Sequence, residues 1–235
     1  MYVLYITNKN YSSWSLRPWV LMQQLGIPFE ERLVPMEKES SAEAFRAFSP
    51  TGKVPCLVDQ STVVWDSLGI VEYLAERHEG VWPRDPKARA WARCAAAEMH
   101  SGFGVLREIC TMNCGVRVRI DDAPPALGRD IRRLGDLWKE GLNRFGGPYL
   151  GGDAFTAVDA FFAPVAFRVQ TYGLKLEDAA ASYAARLLEL PAMRRWEADA
   201  LLETWREPGH EAEARRAGTW LEDRRKQASE GAGLR

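Results

Sequence analysis

Residues 2–17 read Tyr2-Val3-Leu4-Tyr5-Ile6-Thr7-Asn8-Lys9-Asn10-Tyr11-Ser12-Ser13-Trp14-Ser15-Leu16-Arg17. The first six positions are rich in β-branched and aromatic residues until the turn-prone run Asn8-Lys9-Asn10, which predicts a strand over 2–7. Leu16, Val20, Leu21 and Leu25 then recur at helical spacing, and Gly26 with Pro28 stops the helix. Pro18 falls in the first turn if Ser15 is the N-cap, where amides lack intrahelical acceptors. A strand thus feeds a helix whose start carries serine hydroxyls. The dipole and free amides of a helix N-terminus favour negative charge. The serines fit two roles, as caps for those amides or as donors to a bound anion.

Outward from this stretch, 29–34 reads as a second strand and 42–48 as a short helix. The runs 54–58 and 62–65 form a hairpin around Asp59-Gln60-Ser61, and 67–78 closes the unit as a helix. That order requires a mixed sheet with helices on its faces. Gly80, Pro83 and Pro86 mark a linker. From Lys87 onward the pattern predicts only helices, over 88–110, 126–144, 156–172, 179–188 and 192–203. Residues 218–235 read as a polar, weakly ordered tail. The expected divisions are therefore 1–80 for the α/β unit, 87–217 for the all-α unit and 218–235 for the tail.

The chain has 235 residues, 46% hydrophobic and 27% charged, within the range of globular proteins. Its 31 basic and 32 acidic side chains give a net charge of -1, which offers no electrostatic reason to expect nucleic acid or an anionic membrane as a partner. No apolar run is long enough to span a bilayer and no secretory pattern opens the chain, so a cytoplasmic protein is expected. Cys56, Cys94, Cys110 and Cys114 form no dense framework and are expected as free thiols. Cys110, Cys114 and His100 lack closely paired ligand spacing, so no metal is expected.

Two further segments carry chemistry. In Pro50-Thr51-Gly52-Lys53-Val54-Pro55-Cys56, a proline stands at the start of a short apolar strand. If its peptide bond is cis, the backbone of Val54 can face outward to pair with an extended ligand; a trans proline at a strand start fits the sequence equally well. Asp66-Ser67 opens the helix that follows the hairpin, and capping is part of its role. A ligand carboxylate can share the same amides.

Together, in this order and spacing, the three segments resemble the amino-terminal thioredoxin-like domain of cytosolic glutathione transferases. Ser12-Ser13-Trp14-Ser15-Leu16-Arg17 is similar to the double-serine motif of the zeta class, Val54-Pro55 to the family's cis-proline pair, and Asp66-Ser67 to its γ-glutamyl-binding turn. In the second half, Gly152-Asp153-Ala154-Phe155-Thr156-Ala157-Val158-Asp159 is similar to the family's buried capping motif. We assign it to folding, with Asp159 reaching back to the amide of Thr156.

The resemblance implies a thioredoxin-like domain with a four-stranded mixed sheet followed by a helical bundle, a homodimer, and glutathione as cosubstrate. It implies Ser12 or Ser13 as thiol-activating residue, with Ser12, which matches the first serine, as the first choice for the thiolate donor. It further implies Lys53, Val54, Pro55, Asp66 and Ser67 as glutathione ligands, with Lys38 a second choice for the glycyl carboxylate. A thiol of pKa about 8.5 needs roughly 2.7 kcal/mol of thiolate stabilisation to fall two units. A hydrogen bond to a charged group supplies roughly 1.5–3 kcal/mol and a helix N-terminus 0.3–1. No catalytic base is then required.

The partner substrate is expected to be a small hydrophobic electrophile, held by Tyr11, Trp14, His100, Phe103, Arg107 and Met112. Gly102 and Gly104 weaken the helix predicted there by roughly 2 kcal/mol, which fits either close packing or a ligand on that face. His78 and His210 read as ordinary surface residues. Trp14 stands where zeta enzymes carry cysteine, which argues against cysteine chemistry and puts maleylacetoacetate-type isomerisation in doubt. Conjugation is the first expectation. A glutathione-dependent isomerase or peroxidase is the alternative within the class, and a non-enzymatic interaction module on the same fold is the alternative outside it.

Overall fold

The computed structural model describes residues 1–36 and 41–225; Lys38 and the last ten residues lie outside them. The chain opens with β1 (Tyr2–Ile6), α1 (Ser13–Gln24), β2 (Phe29–Leu33), α2 (Ser41–Arg46), β3 (Cys56–Asp59), β4 (Thr62–Val64) and α3 (Ser67–Ala75). The sheet order is β2-β1-β3-β4. β1 runs parallel to β2, in register from Tyr2 opposite Phe29 to Ile6 opposite Leu33, and antiparallel to β3. β3 and β4 form the antiparallel hairpin. This is the mixed four-stranded sheet of a thioredoxin-like domain.

The helix after β1 begins three residues earlier than predicted. Ser12, not Ser15, is the N-cap of α1, because its Oγ accepts the Ser15 amide. Pro18 is therefore the sixth residue of the helix and removes one interior hydrogen bond. Packing compensates, since Leu16, Trp19, Val20, Leu21 and Met22 are all fully buried.

The second half contains α4 (Pro86–Ser101), α5 (Gly104–Ile109), β5 (Val116–Ile120), α6 (Pro125–Phe145), α7 (Ala157–Tyr172), α8 (Asp178–Glu189), α9 (Pro191–Leu202), α10 (Pro208–Ala217) and β6 (Gly218–Asp223). α7 is buried on all sides and packs against α1, α4 and α8. Its first turn is held by Asp159, which accepts the amides of Thr156 at 2.9 Å and Leu150 at 3.0 Å and the Tyr183 hydroxyl at 2.8 Å. Burial pushes the Asp159 carboxyl up to about 6.

Three expectations for this half are corrected. The predicted helix over 88–110 is two helices, because Gly102 ends α4 in extended backbone and Phe103 adopts a left-handed conformation with φ of 57° before α5. A side chain at Gly102 would meet the Glu98 carbonyl at 2.7 Å. These glycines thus mark a helix break, not a face opened for a ligand. Second, the half is not purely helical. Val116-Arg117-Val118-Arg119-Ile120 alternates with period two, buries Val116 and Val118, and pairs antiparallel with β6. Third, 218–223 is a strand rather than part of a tail, preceded by the unpredicted helix α10.

Candidate active site

The loop from β1 to α1 is fixed before it reaches the serines. The Asn8 carbonyl accepts the amides of Tyr11 at 3.2 Å and Ser12 at 2.9 Å. From the end of α9, the Glu203 carboxylate accepts the amides of Lys9 at 2.6 Å and Asn10 at 3.3 Å. Burial pushes the Glu203 carboxyl up to about 7, against the opposing pull of those two amides. Lys9 is itself buried, with its ammonium bound to Glu31 and Asp199 and set against the Trp19 ring.

The two serines are held differently. Ser12 donates its hydroxyl proton to Ser15 Oγ at 2.7 Å, in addition to capping α1. Ser13 is the first residue of the helix, and its Oγ accepts from Arg168 Nη2 at 3.4 Å. Among the described residues nothing accepts the Ser13 proton within hydrogen-bonding reach.

Both serines open onto a cleft of about 380 Å³ between the sheet domain and the helical half. The first domain contributes Tyr11, Ser12, Ser13, Trp14, Lys53 and Val54 to its walls, along with Thr7, Met36, Phe45 and Gly52. Arg107, Thr111, Met112 and Arg168 face them from the helical half, while α10 adds His210 and Glu213. The Val54–Pro55 peptide is cis. Pro55 and Ser67 are buried, and Asp66 is exposed at the N-terminus of α3, where it accepts the amides of Leu68 and Gly69. The Ser67 hydroxyl has no partner.

Of the residues expected around the electrophile, Tyr11, Trp14, Arg107 and Met112 line the cleft. His100 and Phe103 do not. His100 sits behind Trp14 with ring centroids 5.3 Å apart and Nε2 3.4 Å from Asp66. Burial lowers its pKa, opposed by Asp66. Phe103 is packed in the core. His210, expected as plain surface, packs its ring at a tilt near that of Tyr11, with centroids 5.2 Å apart, and contacts Glu207. His78 bonds the Tyr2 hydroxyl.

Arg168 is not among the residues expected from the sequence, although a lone cation within the apolar stretch of α7 is a readable signal. It is 4% exposed, and burial pushes its pKa down to about 10, aided by repulsion from Arg107. Arg17 is wholly buried, with no hydrogen-bond partner for any guanidinium nitrogen; its guanidinium lies 4.1 Å from the Trp14 ring centroid and 4.9 Å from that of Phe161. Burial, then Arg107 and Arg168, hold its pKa well below the ordinary value. Arg107 donates from Nε to the Gly102 carbonyl and from Nη2 to those of Met99 and His100, at the end of α4. Arg107 and Arg168 thus both border the cleft, with Arg17 behind Trp14.

The far wall is tied down by the C-terminal segment. Tyr11 donates to Glu211 at 2.6 Å, and the buried Arg225 binds Glu211, Asp223 and the Tyr11 hydroxyl oxygen.

Residues 11–77 match the family model for the glutathione S-transferase N-terminal domain, and residues 117–199 match that for its C-terminal domain. The chain is 27% identical over 183 residues to a probable maleylacetoacetate isomerase of Caenorhabditis elegans, covering 74% of this chain and 81% of that one. It is 25% identical over 162 residues to a stringent starvation protein A homologue of Haemophilus ducreyi, covering 68% and 72%. Among solved structures, a glutathione transferase homologue from Burkholderia with bound glutathione superposes with a TM-score of 0.61 at 21% identity, covering 85% and 97%.

Proposed function

Because the chain belongs to the glutathione S-transferase family, we propose that it is an enzyme that binds glutathione in this cleft, ionises its thiol with a serine hydroxyl and adds the thiolate to an electrophile. The observation that carries the reading is the Ser13 hydroxyl at the N-terminus of α1, with its oxygen engaged by Arg168 and its proton uncommitted. Ser13 is favoured over Ser12, the first serine of the motif, because Ser12 has already given its proton to Ser15. A cation bound to the serine oxygen makes the hydroxyl a stronger donor, and a charge-assisted bond of that kind is worth roughly 1.5–3 kcal/mol.

Glutathione would lie extended along Val54, with its γ-glutamyl carboxylate at the α3 N-terminus. What supports this is the free hydroxyl of Ser67 and the exposed Asp66 beside it. Lys53 is exposed at the cleft rim and suits the glycyl carboxylate. In the reaction the sulfur–carbon bond forms, the leaving group departs with its electron pair, and the thiol proton passes to solvent.

The maleylacetoacetate isomerase relative favours a second reading, in which the thiolate adds and is expelled again after rotation of a double bond. Retention on immobilised glutathione, followed by turnover of a chloronitrobenzene, tests the proposal. A folded protein that shows no affinity for glutathione would sink it.

A further inference from the structure

The cleft is bordered by more guanidinium donors than thiol activation uses. A guanidinium has about five N–H donors. Arg168 engages only Ser13 Oγ and the Cys110 carbonyl, both at 3.4 Å, and its Nε has no partner. Arg107 lies beside it with only backbone oxygens as acceptors. Arg17, behind Trp14, has none. Among the described residues no carboxylate pairs with any of the three. Asp66, whose charge favours the Arg17 cation, is engaged by His100 and the α3 amides. Glu213 is the acid on the α10 wall, and its charge acts on Tyr172.

Buried cations are costly unless paired. Of the three, Arg168 and Arg107 line the cleft, where a ligand can supply the missing counter-charge. Resting on the reading above, we infer that the second substrate is an organic carboxylate, its anionic group bound by Arg168 and Arg107 and its carbon body lying over Met112 and Trp14. Planar guanidinium donors match a carboxylate in geometry as well as charge. The hydrophobic electrophile implied by the family resemblance is thereby replaced by an anionic one. Arg168 then serves both partners, holding Ser13 through one nitrogen and the substrate through others.

Two conjugates that differ only in the carboxylate test this, S-(para-carboxybenzyl)glutathione and S-benzylglutathione, titrated calorimetrically against the full chain. The carboxylated conjugate is expected to bind at least ~10-fold more tightly, the effect of a single charge-assisted hydrogen bond. In Arg168→Met the ratio falls to about one, whatever happens to the absolute affinities, and Arg107→Met lowers it in part. The wild-type ratio stands as a test even if a variant fails to fold. Equal or weaker binding of the carboxylated conjugate overturns the inference, since arginines that served only the thiolate would favour both conjugates alike. A ratio that persists in both variants overturns the assignment to these arginines. If neither conjugate nor glutathione itself binds, the transferase reading beneath the inference fails instead.

Discussion

Arg168 and Ser13, 155 residues apart in the chain, meet at 3.4 Å, where α7 crosses the start of α1. The contact joins the most buried helix of the second half to the end of the first that is proposed to activate the thiol, so under that proposal the helical half helps set the chemistry of the serine. Ser13→Ala is expected to lower kcat/KM for conjugation by roughly 10- to 100-fold, the loss of one hydrogen bond to an anion. Its KM for glutathione should change little, and the pH at which the bound thiol ionises should rise. Steady-state kinetics with a pH profile from 5.5 to 9 checks all three. Ser12→Ala should retain activity while losing about 1 kcal/mol of stability, because it removes a cap. If Ser12→Ala silences the enzyme and Ser13→Ala does not, the assignment is reversed.

The difference between these serines is not legible in the sequence. Ser12-Ser13 and the following helical spacing mark out the candidate site, as do Val54-Pro55 and Asp66-Ser67, because turns, caps and short strands are punctuated by local residue types. Which hydroxyl keeps its proton depends on Ser15 and Arg168, and only the first is nearby in the chain. β6 shows the same limit: its pairing with β5 closes across nearly a hundred residues, and Thr219-Trp220-Leu221-Glu222 carries no alternation strong enough to announce it. The alternation in β5 is readable, but a run of predicted helices on both sides outweighs it.

Asp159 is the clearest purely structural site. Its buried carboxylate gathers two backbone amides and the Tyr183 hydroxyl, so Asp159→Ala strands three donors in the core. A loss of about 3–5 kcal/mol is expected. Turnover per folded molecule should be unaffected, since the residue is remote from the cleft lining. Denaturant melts set against active-site titration separate the two quantities.

Glu203 predicts a pH dependence. Its carboxyl is raised from about 4.5 unfolded to about 7 folded, mainly by burial. The folded state therefore holds a proton that the unfolded chain has released between those values, and its contribution to stability is full below pH 4.5 and lost as pH rises through 7. The loss amounts to a few kcal/mol at most, at about 1.4 kcal/mol for each pH unit separating the two values. Glu203→Gln removes this slope, so the stability difference between wild type and variant should change between pH 5.5 and 8. Parallel melts at the two pH values measure it, and an unchanged difference would show that the carboxyl ionises as freely in the folded chain as in water.

The wall built by α10 and β6 supplies the last test. Arg225 has a side chain only 1% exposed and joins Glu211 and Asp223 while touching the Tyr11 hydroxyl. Burial alone would raise the Glu211 carboxyl, yet the hydrogen bonds from Arg225 and Tyr11 hold it below its usual value. In Arg225→Met, Glu211 keeps its neutral donors, Tyr11 and Asn113, and both Glu211 and Asp223 lose the bonded guanidinium while keeping the longer-range pull of Arg206. Because both carboxylates retain some solvent, the cost should be about 1–3 kcal/mol, below that of breaking a fully buried pair. The β5–β6 amides should then exchange faster with solvent, since the strand pair loses its anchor at the Asp223 end. As His210 and Glu213 ride on the same helix and line the cleft, KM for the electrophile should rise more than KM for glutathione. Equal changes in the two constants would mean that this wall supports the fold without shaping the second-substrate subsite.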